Sequence, residues 1–262
     1  DEGTIVYHKD MGLVPEVFND IILNHLRGKA AIGHVLYSST GGSYRENAQP
    51  MVIRYRSGQL ALAHNGSLVN ATALRDRMEE SGAVFQSTND SEVMLNLISR
   101  YSIVCDDVIE AIKKMMQEVR GSYSLVMLTP ELLIGVRDPL GIRPLCIGKL
   151  DNSWVLASES CAFDAIGATF IRDVNPGEIV VIDEHGISSF QTGTGGSSRL
   201  CIFEFIYFAK FSFDFIFSAV CLITSSLSKA ETFILNVFAP SSLFSIANAF
   251  AFPNTVFVIH LR

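Results

Sequence analysis

The chain reads as an α+β protein, a layered sandwich of antiparallel sheets flanked by helices, and three observations predict it. Seven short apolar segments follow one another after residue 121, separated only by turn-sized gaps. Three helical patterns lie together between residues 70 and 120 instead of alternating with strands. Strands grouped with strands, and helices with helices, argue for antiparallel layers and against a βαβ winding.

Taken in order, Thr4 to His8 alternates like a short strand. Pro15 suits a first helical position, where its missing N–H costs nothing, and the helix is expected to reach Leu26. Ala30 to Tyr37 is an apolar run expected as a buried strand, with Gly41-Gly42 closing a loop. Met51 to Tyr55 and Gln59 to Ala63 form a hairpin through Ser57-Gly58. Asn65-Gly66 then reads as a turn, since this pair is the strongest short hairpin signal. Asn70 caps a helix with Ala71, Leu74 and Met78 on its apolar face, ended by Gly82. Asn89, with Glu92 three residues on, resembles a capping box ahead of Met94, Leu97, Ile98 and Tyr101. A third helix spans Asp106 to Arg120 and stops at Gly121. The strands that follow are Tyr123 to Leu128, Leu132 to Val136, Leu145 to Gly148, Trp154 to Ala157, Thr169 to Arg172, Glu178 to Asp183 and Ile187 to Gln191.

A formal charge of −7 over 262 residues, with no Lys/Arg cluster, speaks against a nucleic-acid partner. Cys105, Cys146, Cys161, Cys201 and Cys221 form no CxxC pair, so neither a zinc site nor a disulfide framework is signalled. The first residues lack the basic-then-apolar pattern of a signal peptide, and the start at Asp1 suggests a fragment. Composition breaks near residue 200: 13 of 18 Phe lie from Phe203 onward, while all 19 Gly lie at or before Gly196. The chain is therefore divided into a domain over 1–209 and an aberrant apolar tail over 210–262. The tail is read first as sequence foreign to the domain, such as translated non-coding sequence. A hydrophobic extension of the core and a membrane span are the alternatives. Asp214 and several serines keep Phe211 to Ser228 short of the roughly 20 apolar residues a span needs, so a membrane is not expected.

The chemistry legible in the residues is an oxyanion site without a nucleophile. The Asn65 side-chain amide and the Gly66 backbone N–H can converge on one developing negative charge. Asp90 at a helix start is favoured by the helix dipole and is equally able to hold an ammonium group. His34 and His64, each within an apolar strand, read as core histidines. Cys105, Cys146 and Cys161 read as inert buried thiols. Gly193 to Gly196 lacks the Lys and the strand–helix setting of a phosphate loop. Val180-Val181-Ile182-Asp183-Glu184, followed by His185-Gly186, reads as strand and turn.

Taken jointly, Gly33-His34-Val35, Ala63-His64-Asn65-Gly66, Asp90-Ser91-Glu92, the run Arg137 to Leu145 and Ala157-Ser158-Glu159-Ser160 resemble the class-II, N-terminal-nucleophile glutamine amidotransferase family. Cys161-Ala162-Phe163-Asp164, Pro176-Gly177-Glu178 and the run Cys201 to Ala209 narrow the resemblance to the amidophosphoribosyltransferases. The resemblance covers residues 1–209 and implies the layered αββα sandwich of N-terminal-nucleophile hydrolases. In that family an N-terminal Cys hydrolyses glutamine with its own α-amine as base. The ammonia then passes to a phosphoribosyltransferase domain that works with Mg2+ on phosphoribosyl pyrophosphate, giving 5-phosphoribosylamine for purine synthesis.

By resemblance, Asn65 and Gly66 form the oxyanion hole, Asp90 and His34 belong to the substrate site, and Cys201 matches a ligand of a [4Fe–4S] cluster. A homo-oligomer is implied at full length, in the cytoplasm, or in a plastid for a plant-like source. The chain departs from the family in three ways. It contains no counterpart of the nucleophile, so it is expected to be inactive alone. It carries Leu36 where the family has a carboxylate-binding Arg, and Lys210-Phe211-Ser212 where the family continues Arg-Pro-Asp-Ser. The alternatives are another class-II amidotransferase, of the glucosamine-6-phosphate or asparagine synthetase type, or a catalytically dead binding module.

Overall fold

A computed structural model of the chain describes residues 3–26, 28–36, 44–193 and 199, together with the backbone of 255–260. Two antiparallel sheets face each other. The six-stranded sheet runs β10-β9-β5-β4-β3-β2 and the five-stranded sheet β1-β11-β7-β6-β8. In chain order the strands are β1 Ala30–Val35, β2 Met51–Tyr55, β3 Gly58–Leu68, β4 Gly121–Leu128, β5 Leu133–Arg137, β6 Cys146–Leu150, β7 Ser153–Ala157, β8 Thr169–Asp173, β9 Glu178–Asp183, β10 Gly186–Gln191 and β11 Thr255–His260. The helices are α1 Val14–Val17, α2 Asp20–His25, α3 Ala71–Glu80, α4 Asp90–Tyr101, α5 Val108–Glu118 and α6 Cys161–Ile166.

The layers follow from where each strand puts its apolar residues. Leu60, Leu62, Tyr123, Leu125, Met127 and Ile134 face one side of the larger sheet and meet the helices through Val93, Leu97, Ile112 and Met115. Ala63, Val126 and Val180 face the other side and meet Ile147 and Leu156 of the second sheet. A third, smaller core on the outer face of that sheet packs Val155 and Cys146 under Phe163 of α6. The order is therefore helix, sheet, sheet, helix, the αββα sandwich expected. Each fully buried Leu, Ile or Met contributes about 1.5–3 kcal/mol, so these three interfaces supply the main driving force.

Two of the passages of the chain from one sheet to the other, β5 to β6 and β8 to β9, are pinned by buried charge. Between β5 and β6, the Arg137 guanidinium donates to the carbonyls of Arg143, Gly141 and Val174 at 2.8, 2.9 and 2.6 Å. The neighbouring Asp138 carboxylate, fully buried, accepts from the N–H groups of Leu140, Ile142 and Arg143. The Arg-Asp-Pro-Leu-Gly-Ile-Arg-Pro-Leu motif is thus architectural. Between β8 and β9, Arg172 makes a bidentate pair with buried Glu178 at 2.9 and 2.7 Å, and Glu178 also accepts from the Asn175 N–H. Paired forks of this kind fix geometry as well as energy.

Several expectations are corrected. Thr4 to His8 forms no strand. The helix expected from Pro15 to Leu26 is two short helices, because Phe18 leaves the helical region and Asn19 starts α2 by accepting from Ile21 and Ile22 N–H. Asn70 does not cap α3 with its side chain; it ties the Glu118 carbonyl and the Arg120 N–H instead. Asn89 does cap α4, but Glu92 turns away from a capping box to hold the Gln86 and Ser87 N–H groups. Helix α6 went unanticipated because its six residues carry too little periodicity. The backbone of Thr255–His260 pairs antiparallel with both β1 and β7, inside the smaller sheet. Residues 200–254, with Cys201 and Cys221, and the Gly41-Gly42 loop lie outside the described residues.

Candidate functional site

The decisive correction concerns Asn65-Gly66, which is no turn. Strand β3 runs on to Leu68, and Asn65 and Gly66 stand opposite Ser124 and Tyr123 in its ladder with β4. Local propensity favoured a hairpin, and the pairing with β4 overrode it. Gly66 has φ +147°, and a Cβ there would lie 2.0 Å from the Ser122 carbonyl oxygen and 2.8 Å from His64 Nε2. Only glycine lets the strand pass this close.

Alternation then sorts the side chains. Asn65 shares the inter-sheet face of Ala63, opposite Ser124 and Val126. Its side chain makes no hydrogen bond among the described residues, and its Oδ1 is buried. An amide with no hydrogen bond among the described residues, next to a glycine backbone N–H, is able to donate to an oxyanion. His64 falls on the helix face and meets Asp90, the first residue of α4, with Nδ1 3.2 Å from Oδ1. The second Asp90 oxygen accepts from the Leu68 N–H at 2.9 Å. Burial alone raises the Asp90 carboxyl; His64 and the N–H groups of Leu68 and Ser91 outweigh it and hold the group below its ordinary range. About a fifth of the Asp90 side chain remains exposed.

Neither histidine is the satisfied core residue that its pattern suggested. Among the described residues both ring nitrogens of His34 are buried without a hydrogen-bond partner, as is Nε2 of His64. Burial, reinforced by nearby His64, lowers His34 to about 3, so it is neutral through the physiological range. Leu36, just past β1, is 48 % exposed and offers no charge to a carboxylate. Cys146 reads as expected: its thiol is buried, lies 3.3 Å from Asp173 and is pushed up by burial and by that carboxylate. Cys105 packs at the edge of the helix-side core.

Sequence reasoning missed Gln49. Its side-chain amide accepts from the His64 N–H at 2.7 Å and donates to the His64 carbonyl at 3.4 Å. The signal was the hairpin register: with Met51 opposite Leu62, position 49 falls opposite 64. Among the described residues no set of three or more His, Cys, Asp or Glu side chains could hold a metal ion, and no helix is long and apolar enough to cross a membrane.

Residues 39–165 match the glutamine amidotransferase domain family. The amidophosphoribosyltransferase of Archaeoglobus fulgidus is 46 % identical over 202 residues, covering 77 % of this chain and 44 % of that protein. The chloroplastic amidophosphoribosyltransferase of Vigna aconitifolia is 47 % identical over 202 residues, covering 76 % of this chain and 41 % of that protein. The solved Bacillus subtilis glutamine phosphoribosylpyrophosphate amidotransferase, complexed with ADP and GMP, superposes with a TM-score of 0.71 at 40 % identity, covering 76 % of this chain and 43 % of that one. The chain spans less than half the length of these relatives.

Proposed function

We propose that the chain, whose residues 39–165 match the glutamine amidotransferase domain family, is the glutamine-binding part of an amidophosphoribosyltransferase. Such an enzyme moves the amide nitrogen of glutamine to phosphoribosyl pyrophosphate, giving 5-phosphoribosylamine in purine synthesis. The observation that carries the reading is the unemployed Asn65 amide beside Gly66 within a rigid strand. The Asn65 Nδ2–H and the Gly66 N–H donate to the side-chain carbonyl oxygen of glutamine as charge gathers there. One such donor contributes about 2.7–4 kcal/mol to the transition state. Asp90, ionised and partly open, accepts from the substrate ammonium, and neutral His34 lies on the strand beside this site.

Bond cleavage needs a nucleophile; of the described cysteines, Cys146 is buried with its thiol pushed up, Cys105 packs at the core edge, and Cys161 opens α6 on the outer face of the second sheet, away from Asn65 on the inter-sheet face. The chain alone therefore binds glutamine without hydrolysing it. Mg2+ and a [4Fe–4S] cluster find no fitting residue set among the described residues, and Cys201 lies outside them, so no step runs through either group. The full-length protein is proposed as a homo-oligomer of the cytoplasm, or of the plastid in a plant-like source. Residues 210–262 are proposed as foreign to the family.

Calorimetric titration of the chain with L-glutamine tests the reading. Binding that Asn65→Ala weakens tenfold or more supports it; no binding, or indifference to Asn65→Ala, overturns it. Ammonia release is expected at background, and release abolished by thiol alkylation would contradict the missing nucleophile.

A further inference from the structure

A buried glutamine that spends both ends of its amide on one residue's backbone is doing the work of a strand. Strand β2 begins at Met51, opposite Leu62, so a continued ladder would place the backbone of residue 49 against His64. Instead the Gln49 side chain reaches across, accepting from the His64 N–H at 2.7 Å and donating to its carbonyl at 3.4 Å. This rung, away from solvent, fixes where β3 carries the His64 ring. Gly66 leaves room for the ring there, since a Cβ at that position would lie 2.8 Å from its Nε2. From there Nδ1 reaches Asp90 Oδ1 at 3.2 Å, with Ser91 Oγ 3.4 Å from the same nitrogen.

We propose that Gln49 and His64 are positioning residues for Asp90, aiming its carboxylate at the ammonium group of the bound amino acid. The proposal rests on the glutamine reading above. Leu68 N–H fixes one carboxylate oxygen and the His64 ring fixes the other, so the plane of the group is set from two sides. A carboxylate held by two donors keeps free lone pairs directed at the opening, where about a fifth of the side chain is exposed. Without the ring, Asp90 keeps the Leu68 contact and its plane is free to rotate about it. An Asn at position 64 can offer an amide N–H near the place of Nδ1, whereas Leu cannot.

The test compares L-glutamine with 4-carbamoylbutanoate, which lacks the α-amine, by calorimetry on the full chain and on Gln49→Leu, His64→Leu and His64→Asn. Wild type is expected to prefer L-glutamine by about tenfold or more, the scale of one charge-assisted hydrogen bond. Gln49→Leu and His64→Leu reduce that preference to within about twofold while the affinity for 4-carbamoylbutanoate stays put, and His64→Asn restores part of it. An unchanged preference in folded variants overturns the proposal, and so does equal weakening of both ligands, which marks a purely structural role. Carbon-13 titration of the Asp90 carboxyl separates the two readings. If wild type binds neither ligand, the glutamine reading fails, and Asp90 titrating alike in wild type and His64→Leu overturns the positioning role as well. A rise of the Asp90 titration in His64→Leu and Gln49→Leu supports it.

Discussion

Replacing Gly66 by alanine probes the close approach on which the site depends. The new Cβ would lie 2.0 Å from the Ser122 carbonyl oxygen and 2.8 Å from His64 Nε2, at φ +147°. Holding a non-glycine residue at such a φ costs about 1–3 kcal/mol. The backbone contact cannot yield by a rotamer change, and forced overpacking adds about 1–3 kcal/mol. The sum is about 4 kcal/mol, which lowers Tm by roughly 10 °C in a domain of this size. Gly58→Ala is the control: it sits at φ +121° with nothing within 4 Å of its Cβ, so it carries only the conformational cost. Thermal unfolding of both variants should therefore show Gly66→Ala several degrees below Gly58→Ala, and titration should show that only Gly66→Ala loses L-glutamine. Equal Tm values for the two variants would refute the close approach, and full ligand affinity in Gly66→Ala would refute its bearing on the site.

Four further outcomes are expected. His34, neutral in the fold with a pKa lowered to about 3, binds no proton while an unfolded histidine does below about 6.5. Stability should thus fall as pH drops from about 6.5 toward 3, with His34 contributing a slope of up to about 1.4 kcal/mol per pH unit. Denaturant titrations of His34→Leu should show a flatter acid limb, and an unchanged limb would discount the burial. Glu178 is held below its ordinary range: burial opposes this, but Arg172 and the Asn175 N–H prevail. Its contribution is present above the unfolded carboxyl pKa and disappears as pH falls through the folded one; Glu178→Gln should lose stability at pH 7, and the loss should shrink as pH falls below the ordinary carboxyl range. Leu36→Arg, at an exposed position, should strengthen L-glutamine binding about tenfold by supplying a charge-assisted contact to its carboxylate, measured by calorimetry. Removing residues 211–262 deletes the strand between β1 and β7, so hydrogen exchange should rise in those two strands and not in β3 or β4, whose partners remain; uniform protection would show that the tail adds nothing.

The layers were legible because adjacent apolar segments without intervening helices leave an antiparallel arrangement as the natural packing. Site residues were legible as residue types but not in their setting. Asn65-Gly66 looks like a turn in isolation, and only the eight-residue pairing of β3 with β4 makes it strand. His64 looks like core until Asp90 arrives from a helix 26 residues on. Gln49 was signalled only by the hairpin register, because its role is to replace a backbone rung that a pattern of side chains does not show. In the Arg137–Leu145 motif, the Arg137 guanidinium and the Asp138 carboxylate are spent on carbonyls and N–H groups that turn the chain between sheets.

The most direct measurement is a titration of the nitrogen-15-labelled chain with L-glutamine, following the Asn65 side-chain amide and the Gly66 N–H by nuclear magnetic resonance. The account predicts saturable shifts at both donors, with smaller ones for L-glutamate, whose charged carboxylate replaces the amide, and in Asn65→Ala a Gly66 shift that needs tenfold more L-glutamine or does not appear. Saturable binding that leaves both signals in place, or that persists unchanged in Asn65→Ala, would contradict it.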